Sequence, residues 1–391
     1  MNFNEQCITL GQMNLINNSR YIWRTISTWS RAYLISRFLG IGSDEALFTR
    51  LFNESSKYGD MLRLIFGAQF AENFTWLFNE YTIALRDLIS AQKEGSSDKV
   101  NLNLERMYKT AAEMARFLAE ANPYWDEDEW RDIFETYLEY TIEMANSFIT
   151  GDYSKDVEAY DNLTAFTNSV GDYFTQGIFK FLTYNPLCTE NQQCEELTQN
   201  SQDKVSEILP CLTLSQVEAI CCLRMFWFEL ATWTRYYLIN RYLGIGDLDM
   251  ILNRLNRVVD EYGVMLSRIF GEENIKEYLQ LLYKHIELLT SLIDAQIEGD
   301  TDTVNEITKL IYENADQSSS LLASVDPFLN ETELRNMLYK YLQSTFEESL
   351  TFLTGEYDKN INIFANILTQ SENRGNYLAQ GIYKYITNQY Q

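Results

Sequence analysis

The sequence predicts an all-α protein made of two tandem, homologous helical bundles, each with four to five long helices. Apolar residues recur at helical spacing, and no alternating strand pattern occurs anywhere. Only four prolines and 17 glycines interrupt 391 residues. Nearly the same fifteen residues occur twice, as TWSRAYLISRFLGIG from Thr28 and TWTRYYLINRYLGIG from Thr232.

The repeated stretches lie 204 positions apart, and that offset holds without a gap far beyond them. Trp23 matches Trp227, Trp29 matches Trp233, and Arg31 matches Arg235. Tyr58-Gly59 matches Tyr262-Gly263, AQKEG at 91–95 matches AQIEG at 295–299, and Pro123 matches Pro327. CITLGQ from Cys7 falls on CLTLSQ from Cys211. Residues 1–187 therefore read as copy one and 205–391 as copy two, with the polar segment 188–204 as a linker. A period this long means whole domains rather than solenoid repeats, and two equal copies are expected to pack about a pseudo-two-fold axis.

Within copy one, the first helix is expected over 21–38, with Ile26, Tyr33, Leu34 and Phe38 at near-helical spacing. Gly40 and Gly42 end it, because glycine accepts the left-handed conformation that follows a helix. Ser43-Asp44 caps a short helix over 44–51, and another short one is expected over 58–66, stopped at Gly67. Phe74, Leu77, Phe78, Tyr81, Leu85 and Leu88 share one face of a long helix over 71–93. The next runs over 98–121 and stops before Pro123, since the residue preceding proline avoids helical angles. Helices over 126–149 and 155–182 complete the copy, divided at Gly151. The acids of DEDEW at 126–130 sit at a helix N-terminus, where they oppose the positive end of the dipole.

A formal charge of −25 argues against nucleic acid and anionic membrane surfaces as partners. Lys and Arg are scattered singly, with no local basic patch. No apolar stretch approaches the length of a membrane span; the nearest, 219–230, contains Arg224 and Glu229. The N-terminus shows no secretory pattern, and six scattered cysteines form no disulfide framework, so an intracellular, reducing setting is expected.

Chemistry-bearing residues are few. Trp29 and Arg31, like Trp233 and Arg235, lie two positions apart and so face different sides of a helix. A recognition patch for an acidic ligand is one reading of them. The plainer reading is a core tryptophan beside an interhelical ion pair, with Glu143 and Glu347 as the expected partners of Arg31 and Arg235. The single histidine, His285, has Tyr81 as its twin, so the two Glu-x-x-His motifs of a ferritin-like di-iron site are missing. His285 is a weak metal-ligand candidate without evident co-ligands; a packed structural histidine is the expectation. Cys188, Cys194, Cys211 and Cys221-Cys222 lack zinc-knuckle spacing. No catalytic motif stands out and no cofactor is implied.

The motif order WRTISTWSR/WFELATWTR, RLFN/RLNR, FLAEANPYWDEDEW/LLASVDPFLNETEL, TGDY/TGEY and QGI resembles a family of short bacterial, mainly Firmicute-type helical proteins. Its members usually carry the label hypothetical or acetylglutamate kinase. A typical member is one copy long, so the resemblance covers both halves. The family pattern places histidine where this chain has Ile26, Leu230, Tyr81, His285, Tyr137 and Tyr341. Five of these six depart from it, which implies that any chemistry resting on those histidines is lost at least from copy one.

Together these features lead to the expectation of a non-enzymatic structural or protein-interaction protein. A protein partner or self-assembly is expected, inside the cell or in a spore or virion-type assembly. The alternative is a small-ligand or metal-binding bundle whose pocket lies in one copy, lined by His285, Tyr341, Tyr137 and Tyr81.

Overall fold

The computed structural model describes residues 8–184 and 212–388. The expected linker, together with Cys7, Cys188, Cys194 and Cys211, lies outside these residues. The fold is all-α. The first half contains α1 (Leu10–Leu39), α2 (Asp44–Phe66), α3 (Ala68–Glu94), α4 (Ser97–Ala121), α5 (Glu127–Thr150) and α6 (Tyr153–Tyr184). The second contains α7 (Leu214–Leu243), α8 (Leu248–Phe270), α9 (Glu272–Glu298), α10 (Thr301–Val325), α11 (Glu331–Thr354) and α12 (Tyr357–Asn388). Every helix boundary recurs at the 204-residue offset.

Local chemistry fixes these boundaries. Thr9 accepts a hydrogen bond from Gln12 N, and the Gln12 side chain accepts one from Thr9 N. Thr213 and Gln216 repeat this arrangement. The repeated T-L-x-Q at the head of each copy is therefore a capping box, which satisfies two helix-end donors reciprocally. Gly40 and Gly244 close α1 and α7 in the left-handed conformation, at φ 72° and 65°.

The expected short helices over 44–51 and 58–66 are in fact one continuous helix, α2, so each half has six long helices. Gly59 does not break it. A Cβ there would lie 3.2 Å from Ala71 O and 3.4 Å from Thr75 Cβ, so this glycine lets α2 and α3 approach closely.

Consecutive helices pack as neighbours, and the sixth of each half returns to the first: α6 lies on α1, and α12 on α7. The return depends on another glycine pair. A Cβ on Gly171 would fall 2.9 Å from Arg20 N and 3.0 Å from Arg20 Cα, and one on Gly375 would overlap the Arg224 carbonyl.

α1 and α7 are buried nearly all round over 23–36 and 223–239. Each helix divides its residues between two environments. Trp23 packs within its own half against Tyr58, Phe78, Phe134 and Tyr137, with ring centroids 5.7–6.2 Å apart. Trp29 turns to the other half and meets Phe364 edge-on at 5.5 Å. The apolar core consequently runs as one continuous cluster through both halves.

Replacing Gly375 by alanine should lower stability by about 1–3 kcal/mol through overpacking against α7. Chemical denaturation of the purified chain measures this. An alanine at exposed Gly355 is the comparison: it strains a left-handed cap without touching a neighbour.

Candidate functional site

Two places concentrate polar side chains in the interior. One is the seam where α1 and α7 meet the opposite half; the other is the core of the second half.

At the seam, contacts occur between equivalent positions. Ile8 and Leu212, which are twins, exchange two backbone hydrogen bonds of 3.0 Å in an antiparallel bridge. Trp29 against Phe364 is mirrored by Tyr160 against Trp233, at 5.6 Å. Arg20 holds Asp172 in its own half at 2.7 Å and Glu218 across the seam at 2.9 Å. Its twin Arg224 holds Asn376 and, across the seam, Asn14, each at 3.0 Å. A further chain of charges crosses the seam twice. Arg24 meets Glu229 at 2.7 Å, Glu229 meets Arg254 at 3.6 Å, and Arg254 meets Asp161 at 2.6 Å.

The paired arginines lie deep in this layer, but their partners differ from those expected. Arg31 pairs with Asp156 at 2.5 Å, not with Glu143, which is exposed on α5. Arg235 pairs with Glu348 and donates to Asn360 at 2.8 Å, not to Glu347, which is exposed and meets Lys359 at 2.9 Å. A single residue step, about 100° of helix arc, accounts for the difference at Glu347: its neighbour Glu348 occupies the inward position. Asp156 has Asn360 as its twin, and Glu348 has Met144. Each half thus keeps one carboxylate for its arginine but supplies it from a different helix. Burial pushes the pKa values of Asp156 and Glu348 upward, opposed by the arginine beside each. Arg31 also lies over Tyr236 of the other half, 3.6 Å from the ring centroid, and 4.6 Å from that of Tyr160. Arg31 thereby reaches across the seam, and the Arg31–Asp156 pair is almost wholly buried.

Two cavities flank the seam at equivalent places but carry different chemistry. One, of about 420 Å³, is lined by Tyr21, Trp29, Arg50, Glu54, Lys57 and Glu372, among others. The other, of about 280 Å³, has Met225, Arg254's neighbour Val258, Glu261 and Asn168 at the equivalent positions, with Arg20 and Arg24 as added cations. Burial raises the pKa values of Glu54 and Glu372 in the first.

The second polar centre has no counterpart in the first half. Arg374, 2% exposed, projects from α12 into the core beside Trp227, with its guanidinium carbon 4.2 Å from the ring centroid. Its Nη1 donates to Leu334 O at 3.0 Å, and its Nε has no partner. No carboxylate among the described residues forms an ion pair with it. Tyr262, Tyr278, Tyr341 and His285 all lie within its electrostatic reach. His285 Nε2 and Trp227 Nε1 are buried without a hydrogen-bond partner, whereas the Tyr278 hydroxyl interacts with Arg374 and Tyr262 and the Tyr341 hydroxyl with Thr234 and Thr345. At the matching positions the first half has Val170 for Arg374, Phe74 for Tyr278 and Tyr81 for His285. Tyr81 Oη there donates to Phe134 O at 3.1 Å.

A cation–π contact contributes about 2 kcal/mol when desolvated. Removing an unpaired ion from water costs several kcal/mol. Trp227 therefore offsets only part of the burial of Arg374. Burial lowers its pKa, but a guanidinium keeps its proton at any physiological pH.

His285 stands 5.9 Å from Trp227 and 6.2 Å from Tyr341, ring to ring. Among the described residues no three His, Cys, Asp or Glu side chains are grouped to hold a metal, and the charge that acts on His285 is the Arg374 cation. Tyr81 and Tyr137 lie in the first half, so the expected lining splits into two pairs, and Tyr341 alone accompanies His285. Arg374 escaped the sequence reading because comparing the copies favours residues that both retain.

Replacing Asp156 by asparagine strands the Arg31 charge and should cost about 3–5 kcal/mol. Adding Met144→Glu, which copies the second half, should restore more than half of that loss in equilibrium unfolding. His285 supplies a pH signature. Burial first, then Arg374, lowers its pKa from 6.5 to about 4. Between these values only the unfolded chain binds the proton, so stability falls as pH drops through that window, by about 3 kcal/mol in total. His285→Tyr should remove this component from unfolding curves recorded at pH 7 and pH 4.5.

Among the described residues no helix is long and apolar enough to cross a membrane. Compared with protein-family models, curated proteins and solved structures, the chain matches none.

Proposed function

We propose that this protein is a non-enzymatic scaffold, two homologous helical bundles fused so that a dimer-type contact is held within one chain. The reciprocal seam carries this reading: Ile8 meets its own twin Leu212, and Trp29–Phe364 mirrors Tyr160–Trp233. Such reciprocity is the property of an isologous interface, and fusion raises the effective concentration of the two faces while fixing their ratio. In this reading copy one spans 1–187, copy two 205–391, and Trp29, Trp233 and Arg31 reach across to hold the two together, while Trp23, Trp227 and Arg235 organise their own halves.

The scaffold presents one half to a protein partner or to further copies. Among the described residues the three most exposed large apolar side chains are Leu64 (86%), Leu102 (66%) and Trp76 (61%). All belong to the first half, and their twins are Arg268, Glu306 and Gln280. Exposed apolar groups retained in one copy and polar in the other mark a docking face. An intracellular setting, including a spore or virion-type shell, suits a chain whose buried Cys221 and exposed Cys222 are free thiols. The small-ligand alternative draws support from the polar core of the second half, where Arg374 is buried beside Trp227 without an acidic partner among the described residues.

Native mass spectrometry and sedimentation of the full chain test the scaffold. Species larger than one chain should appear, either alone or in extract. Leu64→Arg, Trp76→Gln and Leu102→Glu together should return the chain to a monomer with unchanged helicity. A chain that stays monomeric and partnerless in both settings overturns the reading.

A further inference from the structure

We infer that a third cavity, where α1, α7 and α12 meet, binds a small dicarboxylate anion, with Arg224 at its buried end and Lys384 at its exposed end. The inference is independent of the scaffold reading, because it concerns this cavity and not the outer faces of the first half.

Three observations carry it. The first is room. The cavity measures about 430 Å³, a size usual for small-molecule sites. Beside it α12 is held close on α7, since a Cβ on Gly375 would overlap the Arg224 carbonyl, so the frame is preformed.

The second is charge. Arg224 and Lys384 line the cavity and no carboxylate does, in a chain whose formal charge is −25. Neither cation forms an ion pair among the described residues. Glu372 acts on Arg224 at longer range, but it interacts with the Tyr21 hydroxyl and lines a different cavity. Asp326 lies within electrostatic reach of Lys384 and is itself buried.

The third is the contrast between the copies. In the first half Arg20 is neutralised by Asp172 and, across the seam, by Glu218. At the 204-residue offset Asn376 replaces Asp172, and Asn14 replaces Glu218. Both amide oxygens accept from Arg224 at 3.0 Å. The hydrogen-bonding frame of the twin is thus kept while both of its negative charges are gone. A buried cation needs a counter-charge as well as hydrogen bonds, and an anion in the cavity supplies it. Burial lowers the pKa of Arg224, whereas at Arg20 burial is outweighed by Asp172 and then Glu218.

The lining selects the ligand. Asn376, Gln380 and Lys384 follow one another at four-residue spacing along one face of α12. About 12 Å of helix axis therefore separates the residue that holds Arg224 from Lys384. That span suits a chain with a carboxylate at each end and exceeds a compact sulfate or phosphate. Arginine takes a carboxylate through paired N–H groups, and the amide NH₂ groups of Asn14, Asn376 and Gln380 can donate to the same oxygens. Met13 and Ala379 add apolar lining for the methylenes.

The test uses the full chain with succinate and glutarate as probes and sulfate at matched ionic strength as the control. The melting temperature should rise saturably with either dicarboxylate but not with sulfate. Asn14→Glu with Asn376→Asp copies the first half and gives Arg224 its own carboxylates. This double variant should stay helical and weaken succinate binding about 100-fold in calorimetric titration. Lys384→Gln, at an exposed position, should weaken it about fivefold, and this variant decides the matter if the double one does not fold. No saturable response in the unsubstituted chain overturns the proposal, as does binding left unchanged by either variant. An equal response to sulfate overturns the assignment to dicarboxylates.

Discussion

A helix enclosed by protein on every side has no face left for water, and α1 and α7 are both in that position. Every residue along their middle turns must find a partner inside the protein. That requirement explains why tryptophan, arginine, threonine and serine alternate there. The tryptophans fill volume in two directions, Trp23 toward its own half and Trp29 toward the other. Threonine and serine hydroxyls return to the helix backbone four residues earlier, as Ser27 Oγ does to Trp23 O and Thr232 Oγ1 to Phe228 O. The arginines reach carboxylates on neighbouring helices and so fix how those helices are placed.

From these two helices the rest of the arrangement follows. The sixth helix of each half can lie against the first only because Gly171 and Gly375 admit the backbone of the opposing helix. The seam forms because the outward faces of α1 and α7 carry aromatic rings that reach into the opposite half. Tyr21 against Phe228 at 5.2 Å and Trp29 against Phe364 are the visible result. Charge then tunes a contact that apolar burial establishes: Arg24, Glu229, Arg254 and Asp161 alternate in sign across it.

Much of this was legible in the sequence. The fold class, the repeat and most helix ends followed from periodicity, glycine and proline, because those signals act over a few residues. The capping box was present in the CITLGQ and CLTLSQ pair but became recognisable only with the helix start in place. What failed was longer in range. The stretch between 51 and 58 reads as a break in one dimension, yet α2 runs through it, and Gly59 just beyond marks a close approach between helices. The partners of Arg31 and Arg235 were sought among acids common to both copies, whereas Asp156 and Glu348 occupy different helices. The Arg374 cluster was hidden for the same reason: comparing copies highlights what is shared, and this centre exists in one half alone.

The layer around Arg31 also determines which halves can pair. Tyr236 lies flat against that guanidinium, while its twin on the opposite side is Ala32. One face carries the bulge and the other the recess. Two first halves brought together would enclose a void, and two second halves would force a pair of phenol rings into the crowded middle. The fit around Arg31 is thus between unlike halves, first against second, as in the single chain.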